Sequence, residues 1–177
     1  MKNFNKYFGI GILVAFLVFI DQYTKYLIVN RLGMTKEIPV LKGIISFKYL
    51  ENDGIAFSFL SGKTFIINAM GIFFTAVIIY MLFVLQRNIN NLKSDNSNFY
   101  KKLNILQVLI SFVIAGSVGN IIDRIRLGYV VDFIKTDFID FPVFNVADCY
   151  VTVSVFFIFV ILIFMKDDEF KLIKFRR

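Results

Sequence analysis

The chain has 177 residues, 58% of them hydrophobic and 18% aromatic, with a positive mean hydropathy, which is too apolar for a soluble domain of this size. The net charge of +7 comes from basic residues scattered between apolar runs and gathered at their ends, which does not fit a nucleic-acid-binding face. A single cysteine, Cys149, excludes an internal disulfide framework, and the absence of histidine removes Ser-His and Cys-His mechanisms and most zinc sites, so any hydrolytic chemistry must rest on carboxylates, lysine or hydroxyls.

Four apolar segments, about 8–29, 65–85, 103–122 and 147–165, each approach the roughly 20 residues that a helix needs to cross hydrocarbon with its backbone bonded internally. They predict an α-helical integral membrane protein with four transmembrane helices in one membrane-embedded domain, 1–177, with no room for a separate soluble domain. Lys2 and Lys6 before the first apolar core resemble a signal peptide, but no small-residue cleavage pattern follows, and the segment reads as a permanent span. Basic residues near span ends set orientation. Lys2 and Lys6, then Arg87, Lys93, Lys101 and Lys102, then Lys166, Lys171, Lys174, Arg176 and Arg177 place both termini in the cytoplasm, although the other two loops also carry lysines and arginines.

The first outer loop, about 32–64, is too long for a simple turn. Ile44-Ile45-Ser46-Phe47-Lys48-Tyr49-Leu50 has the content of a strand, Asn52-Asp53-Gly54 is a turn signal, and Ile55-Ala56-Phe57-Ser58-Phe59 follows. A small β-hairpin or sheet on the outer membrane surface is expected here. The Asn-rich stretch 88–98 reads as a cytoplasmic linker.

Ionisable groups in or beside spans cost free energy, about 2.5–3.5 kcal/mol each at a helix centre, so each requires a reason. Asp21, Gln22 and Lys25 lie near the outer end of the first helix, and Asn120, Asp123 and Arg124 at the outer end of the third. Asp132 falls in the following loop, and Asn145 and Asp148 open the fourth helix. Asp21 and Lys25 share one helical face, as do Asn120 and Arg124, so one connected polar network is expected at the outer interface. Gly116 and Gly119 would let a neighbouring helix approach closely. Simpler roles exist for most of these groups: a surface ion pair for Asp21 and Lys25, a helix end in headgroup water for Asn120, Asp123 and Arg124, and N-terminal capping for Asp148. Asp132, inside the apolar pentad Val130-Val131-Asp132-Phe133-Ile134, is harder to explain without a specific target. Cys149 reads as a small interior residue.

Together these residues resemble lipoprotein signal peptidase, or signal peptidase II. Asp21-Gln22-x-x-Lys25, Asn52-x-Gly54-x-Ala56-Phe57, Gly119-Asn120-x-x-Asp123-Arg124, Val131-Asp132-Phe133 and Phe144-Asn145-x-Ala147-Asp148 look like its five signatures in order. Asp53 and Cys149 stand where the family commonly has a small polar residue and serine. The resemblance implies four transmembrane helices, a β-cradle in the first outer loop and an aspartic endopeptidase of the bacterial cytoplasmic membrane with its active site at the outer face. It also implies a catalytic dyad, Asp132 and Asp148, that cleaves prolipoproteins before a diacylglyceryl-modified cysteine. Asn52, Gly54, Asn120, Arg124 and Asn145 would orient the dyad or bind substrate. Asp21, Lys25 and Asp123 would form a structural polar network, with Asp123 the main rival for a catalytic role. No metal or cofactor is expected. The expected partners are the lipidated substrates and membrane lipids, with no nucleic acid, and the chain is expected to act as a monomer. The competing readings are a small ion-coupled transporter, which would want polar groups near the bilayer midplane, and a non-catalytic assembly subunit.

Overall fold

The computed structural model describes residues 2–32, 36–54, 64–91, 97–166 and 169. The elements run α1 (Lys2–Leu32), β1 (Glu37–Leu41), β2 (Ile45–Asn52), α2 (Thr64–Asn91), α3 (Ser97–Leu127), β3 (Val130–Thr136) and α4 (Val146–Ile163). All four helices are long and apolar enough to cross a bilayer. At 1.5 Å per residue, the 31 residues of α1 and of α3 each span about 46 Å, more than the hydrocarbon core, so both project beyond it. They are longer than the apolar segments alone suggest because backbone hydrogen bonding continues through the polar ends.

The centre of the bundle is α3, which packs against α1, α2 and α4 and is the most buried of the four. Small residues allow this. A Cβ on Gly116 would lie 2.5 Å from the carbonyl oxygen of Ala147, and one on Gly119 would strike the carboxylate of Asp21, so only glycine admits these approaches. The outward faces of α2 and α4 carry Phe73, Phe74, Phe156 and Phe159, all exposed and suited to lipid. At the opposite end of the bundle from the sheet, Leu85, Ile89, Phe99, Leu103, Leu106 and Met165 form an apolar cluster. Beside it a buried amide chain links α2 and α3: Gln107 donates to Gln86, which donates to Asn90.

The sheet has three antiparallel strands in the order β1-β2-β3. The hairpin turn lies at 42–44, where Gly43 takes φ 76°, a conformation that suits glycine. The expected turn signal Asn52-Asp53-Gly54 stands at the end of β2, and the stretch 55–59 after it, with Ala56 and Phe57, lies outside the described residues. Asp132 is not in a loop. It sits in β3, where Val130-Val131 and Phe133-Ile134 supply the β-branched and aromatic content of a buried strand. Alternation along β3 then decides what faces where. Val131 and Phe133 pack with Tyr49 against Ile28 and Leu32 of α1, while Val130 and Asp132 point to the other side.

Candidate active site

The C-terminal part of α1, the end of α3, strand β3 and the start of α4 meet beneath the sheet, and each contributes polar side chains to one network. The N-terminus of α4 is built first, by local sequence. Asn145 caps it by accepting the backbone N–H of Asp148 at 3.0 Å, and the Asp148 carboxylate accepts the backbone N–H of Asn145 at 3.0 Å, a reciprocal capping box. The capping role expected for Asp148 is therefore present. It is not the residue's only contact, because the other carboxylate oxygen accepts the side-chain amide of Asn120 at 2.8 Å.

Asn145 is fully buried and links the two carboxylates. With its carbonyl oxygen committed to the cap, its amide nitrogen faces β3, donating to Asp132 Oδ1 at 2.7 Å and lying 3.1 Å from Asn120 Oδ1. Asp132, only 1% exposed, also accepts from Asn52 Nδ2 at 2.8 Å on its other oxygen. Burial away from water, then the neighbouring charge of Asp148, pushes the Asp132 carboxyl up to about 7 against the opposing pull of its two amide donors. Asn52 also accepts the backbone N–H of Gly54, and the Gly54 carbonyl accepts Arg124 Nη2 at 2.9 Å, so the end of β2 is tied to α3. Arg124 Nε is buried and has no hydrogen-bond partner among the described residues.

Behind this layer lies a second one. Lys25 Nζ is 2.9 Å from Asp21, 2.8 Å from Asp123 and 3.0 Å from Asn120 Oδ1, all inside a region where Asp21 and Lys25 are nearly inaccessible. Asp21 Oδ1 accepts the backbone N–H of Ala147 at 3.0 Å, so a carboxylate from α1 serves the first turn of α4. Asp123 accepts Gln22 Nε2 at 2.8 Å and the backbone N–H of Val131 at 3.2 Å. Neither of the simpler readings of these groups survives: Asp21–Lys25 is not a surface pair, and Asp123 does not end in headgroup water. Gln22, which the sequence groups with Asp21 and Lys25 without a role of its own, reaches Asp21, Asp123 and the Gly119 carbonyl and so ties α1 to α3.

A cavity of about 620 Å³ opens beside the first layer, with Asn52, Asn120, Arg124, Asp132 and Asp148 among its lining residues and Phe141 and Val153 at its apolar margin. Asp123 is not on its wall. Cys149 is half-buried and also borders the cavity. Two carboxylates, joined by amides and facing a largely apolar space, can hold and exchange a proton next to a bound group. All ten residues singled out from sequence thus come together at one end of the bundle, in two layers.

Comparison with known proteins agrees with this architecture. The profile of the family described as Signal peptidase (SPase) II matches residues 13–164. The chain is 44% identical over 152 residues to a lipoprotein signal peptidase of Enterococcus faecalis, covering 86% of each chain. It is 36% identical over 159 residues to one of Lactobacillus johnsonii, covering 89% of this chain and 94% of the other. Two solved structures described as bacterial membrane enzymes superpose with TM-scores of 0.73 and 0.71 at 29% and 31% identity, covering 96% and 90% of this chain and 93% and 94% of theirs. A family match across most of the sequence, on a four-helix membrane fold with a three-stranded sheet, leads to one conclusion: the chain belongs to the signal peptidase II family and is a peptidase of the bacterial cytoplasmic membrane.

Proposed function

We propose that the chain removes signal peptides from lipoprotein precursors with an aspartate dyad, Asp132 and Asp148, cutting before a cysteine that carries a diacylglyceryl group. The observation that carries this reading is the placement of both carboxylates on the cavity wall, each held by asparagine amides, while the rival Asp123 is saturated by Lys25, Gln22 and a backbone N–H behind them. Like charges in a buried site cannot both ionise cheaply, so the pair holds one proton over a broad pH range. The ionised member takes a proton from the water that attacks the scissile carbonyl. The protonated member donates to the carbonyl oxygen and then assists departure of the amine. The raised value of Asp132 keeps that proton available near neutrality.

Asn120 and Asn145 orient the carboxylates, and Asn52 and Arg124 stand where a peptide backbone enters. Lys25, Asp21 and Asp123 fix α1 and α3 against this layer. Residues 1–177 act as one peptidase domain and as a monomer. Both termini lie in the cytoplasm and the dyad at the outer face, where an exported precursor presents its lipidated cysteine. Arg87, Lys101, Lys102 and Lys166 at the opposite end of the bundle favour that orientation.

The test is cleavage of a diacylglyceryl-modified prolipoprotein by purified protein in lipid, followed by gel shift. Asp132→Asn and Asp148→Asn should each lose at least about 10³-fold in rate, the scale of a lost acid or base, while correctly folded Asp123→Asn retains cleavage. Loss in Asp123→Asn with retention in Asp132→Asn would move the catalytic assignment.

A further inference from the structure

Between β3 and α4 the chain folds back on itself. Ile134 donates to the Phe144 carbonyl at 2.7 Å and Phe144 donates to the Ile134 carbonyl at 3.0 Å; Lys135 and Thr136 still belong to β3 and pair with β2, so residues 137–143 form the closed loop beyond the strand. Phe138, Ile139 and Phe141 on this loop are 64%, 51% and 49% exposed. Three large apolar side chains so close together on a projecting loop require a partner, because isolated apolar residues are ordinary on a surface and clusters are not.

Their position identifies that partner. Phe141 meets Phe144 edge to face at 5.8 Å, two residues before the apolar span of α4 begins at Val146. Phe141 also borders the same cavity as Val153, which lies about two turns, or ~10 Å, down that span and is itself exposed. Exposed apolar side chains thus stand on the loop and again on α4, at Val153, Phe156 and Phe159, the two groups meeting at the cavity that Phe141 and Val153 both line. Asp140, the one charged residue among 138–141, is also exposed, which suits headgroup depth and not the hydrocarbon centre.

We propose that Phe138, Ile139 and Phe141 form a lip seated in the bilayer interface, with membrane phospholipid as its partner, holding the mouth of the cavity at headgroup depth. The seating does not rest on the peptidase reading, and its test needs no turnover.

The chain contains no tryptophan, so a single indole reports its own surroundings. Phe138→Trp and, separately, Ile139→Trp would be reconstituted in phosphatidylcholine–phosphatidylglycerol vesicles with and without bromine on the upper acyl chains. The expected result is blue-shifted emission that bromolipid quenches and aqueous iodide barely does, as for aromatic side chains at a membrane interface. Emission typical of indole in water and quenched by iodide would overturn the proposal. So would blue-shifted emission insensitive to both quenchers, which would mean that another part of the chain covers the lip. Near-ultraviolet circular dichroism of each variant checks that it is folded, and the two positions give independent readings.

Discussion

Asn145 donates its side-chain amide to Asp132 at 2.7 Å while its side-chain carbonyl caps α4 at the backbone N–H of Asp148. One residue thereby fixes the strand carboxylate relative to the helix carboxylate, and its amide cannot flip without breaking both contacts. Asn145→Ala should cost about 1 kcal/mol as a lost cap and lower kcat by about 10²-fold through misplacement of the dyad. Thermal unfolding and steady-state cleavage measure the two effects separately. Turnover that survives the substitution would remove Asn145 from the orienting role.

The raised carboxyl of Asp132 makes stability and rate depend on pH in predictable directions. In the unfolded chain this group releases its proton near its ordinary value of 3.8, whereas in the folded protein it keeps it up to about 7. Between those values the native state binds the extra proton, so the contribution of Asp132 to stability is full below about pH 4 and is lost as pH rises through 7. Asp132→Asn should therefore flatten the fall in Tm between about pH 4 and pH 7. Wild-type kcat/KM should decline above about pH 7, as the proton shared with Asp148 is lost. A profile flat to pH 9 would contradict a dyad that works with one proton.

The four spans were legible from the sequence because bilayer thickness imposes length and composition on each helix. Convergence of the polar groups was legible too, since Asp21, Lys25, Asn120, Asp123, Asn145 and Asp148 all fall at the same end of an up-down bundle. Strand β3 was not, because its pentad follows α3 after two residues and its partner β2 lies some 80 positions away. Pairing of that range leaves no local trace. The turn that joins β1 to β2 was not legible either: Lys42-Gly43-Ile44 is a weaker turn motif than Asn52-Asp53-Gly54, which follows β2 and leads into residues outside the described ones. The two-layer division of the site, with Asp123 behind and Asp132 in front, depends on side-chain direction across three elements, which spacing within any one of them cannot supply.

Lys25 is the only cation with its ammonium on both Asp21 and Asp123 among the described residues, and all three are buried. Removing one partner of such a cluster leaves an uncompensated charge away from water, at a cost of about 3–5 kcal/mol. Lys25→Met should therefore lower stability by that order. It should also slow cleavage, because Asn120 loses one of the two donors, Lys25 and Asn145, that turn its amide nitrogen toward Asp148. The triple variant Asp21→Asn, Lys25→Met, Asp123→Asn, which removes the charges together, should recover part of the stability. Denaturation of all these proteins in one detergent decides the matter, and equal stability of wild type and Lys25→Met would sink the claim.

The contact of α3 with α1 and α4 turns on two absent methyl groups. At Gly119 a Cβ would collide with the Asp21 carboxylate, which is already held between Lys25 and the Ala147 N–H. At Gly116 it would press 2.5 Å from the Ala147 carbonyl and 2.8 Å from a methyl of Val151. Neither obstacle is the far end of a flexible side chain free to swing away, so the helices themselves must separate. Gly116→Ala and Gly119→Ala should each destabilise by about 1–3 kcal/mol, the usual scale of overpacking. Gly119→Ala should lower turnover more for a given loss of stability, since Asp21 carries the displacement to the first turn of α4 where Asp148 sits. Gly9→Ala, with nothing within 4 Å of the new methyl, is the matched control and should unfold like wild type. If all three alanine variants unfold together, close packing at α3 is not what holds the site in place.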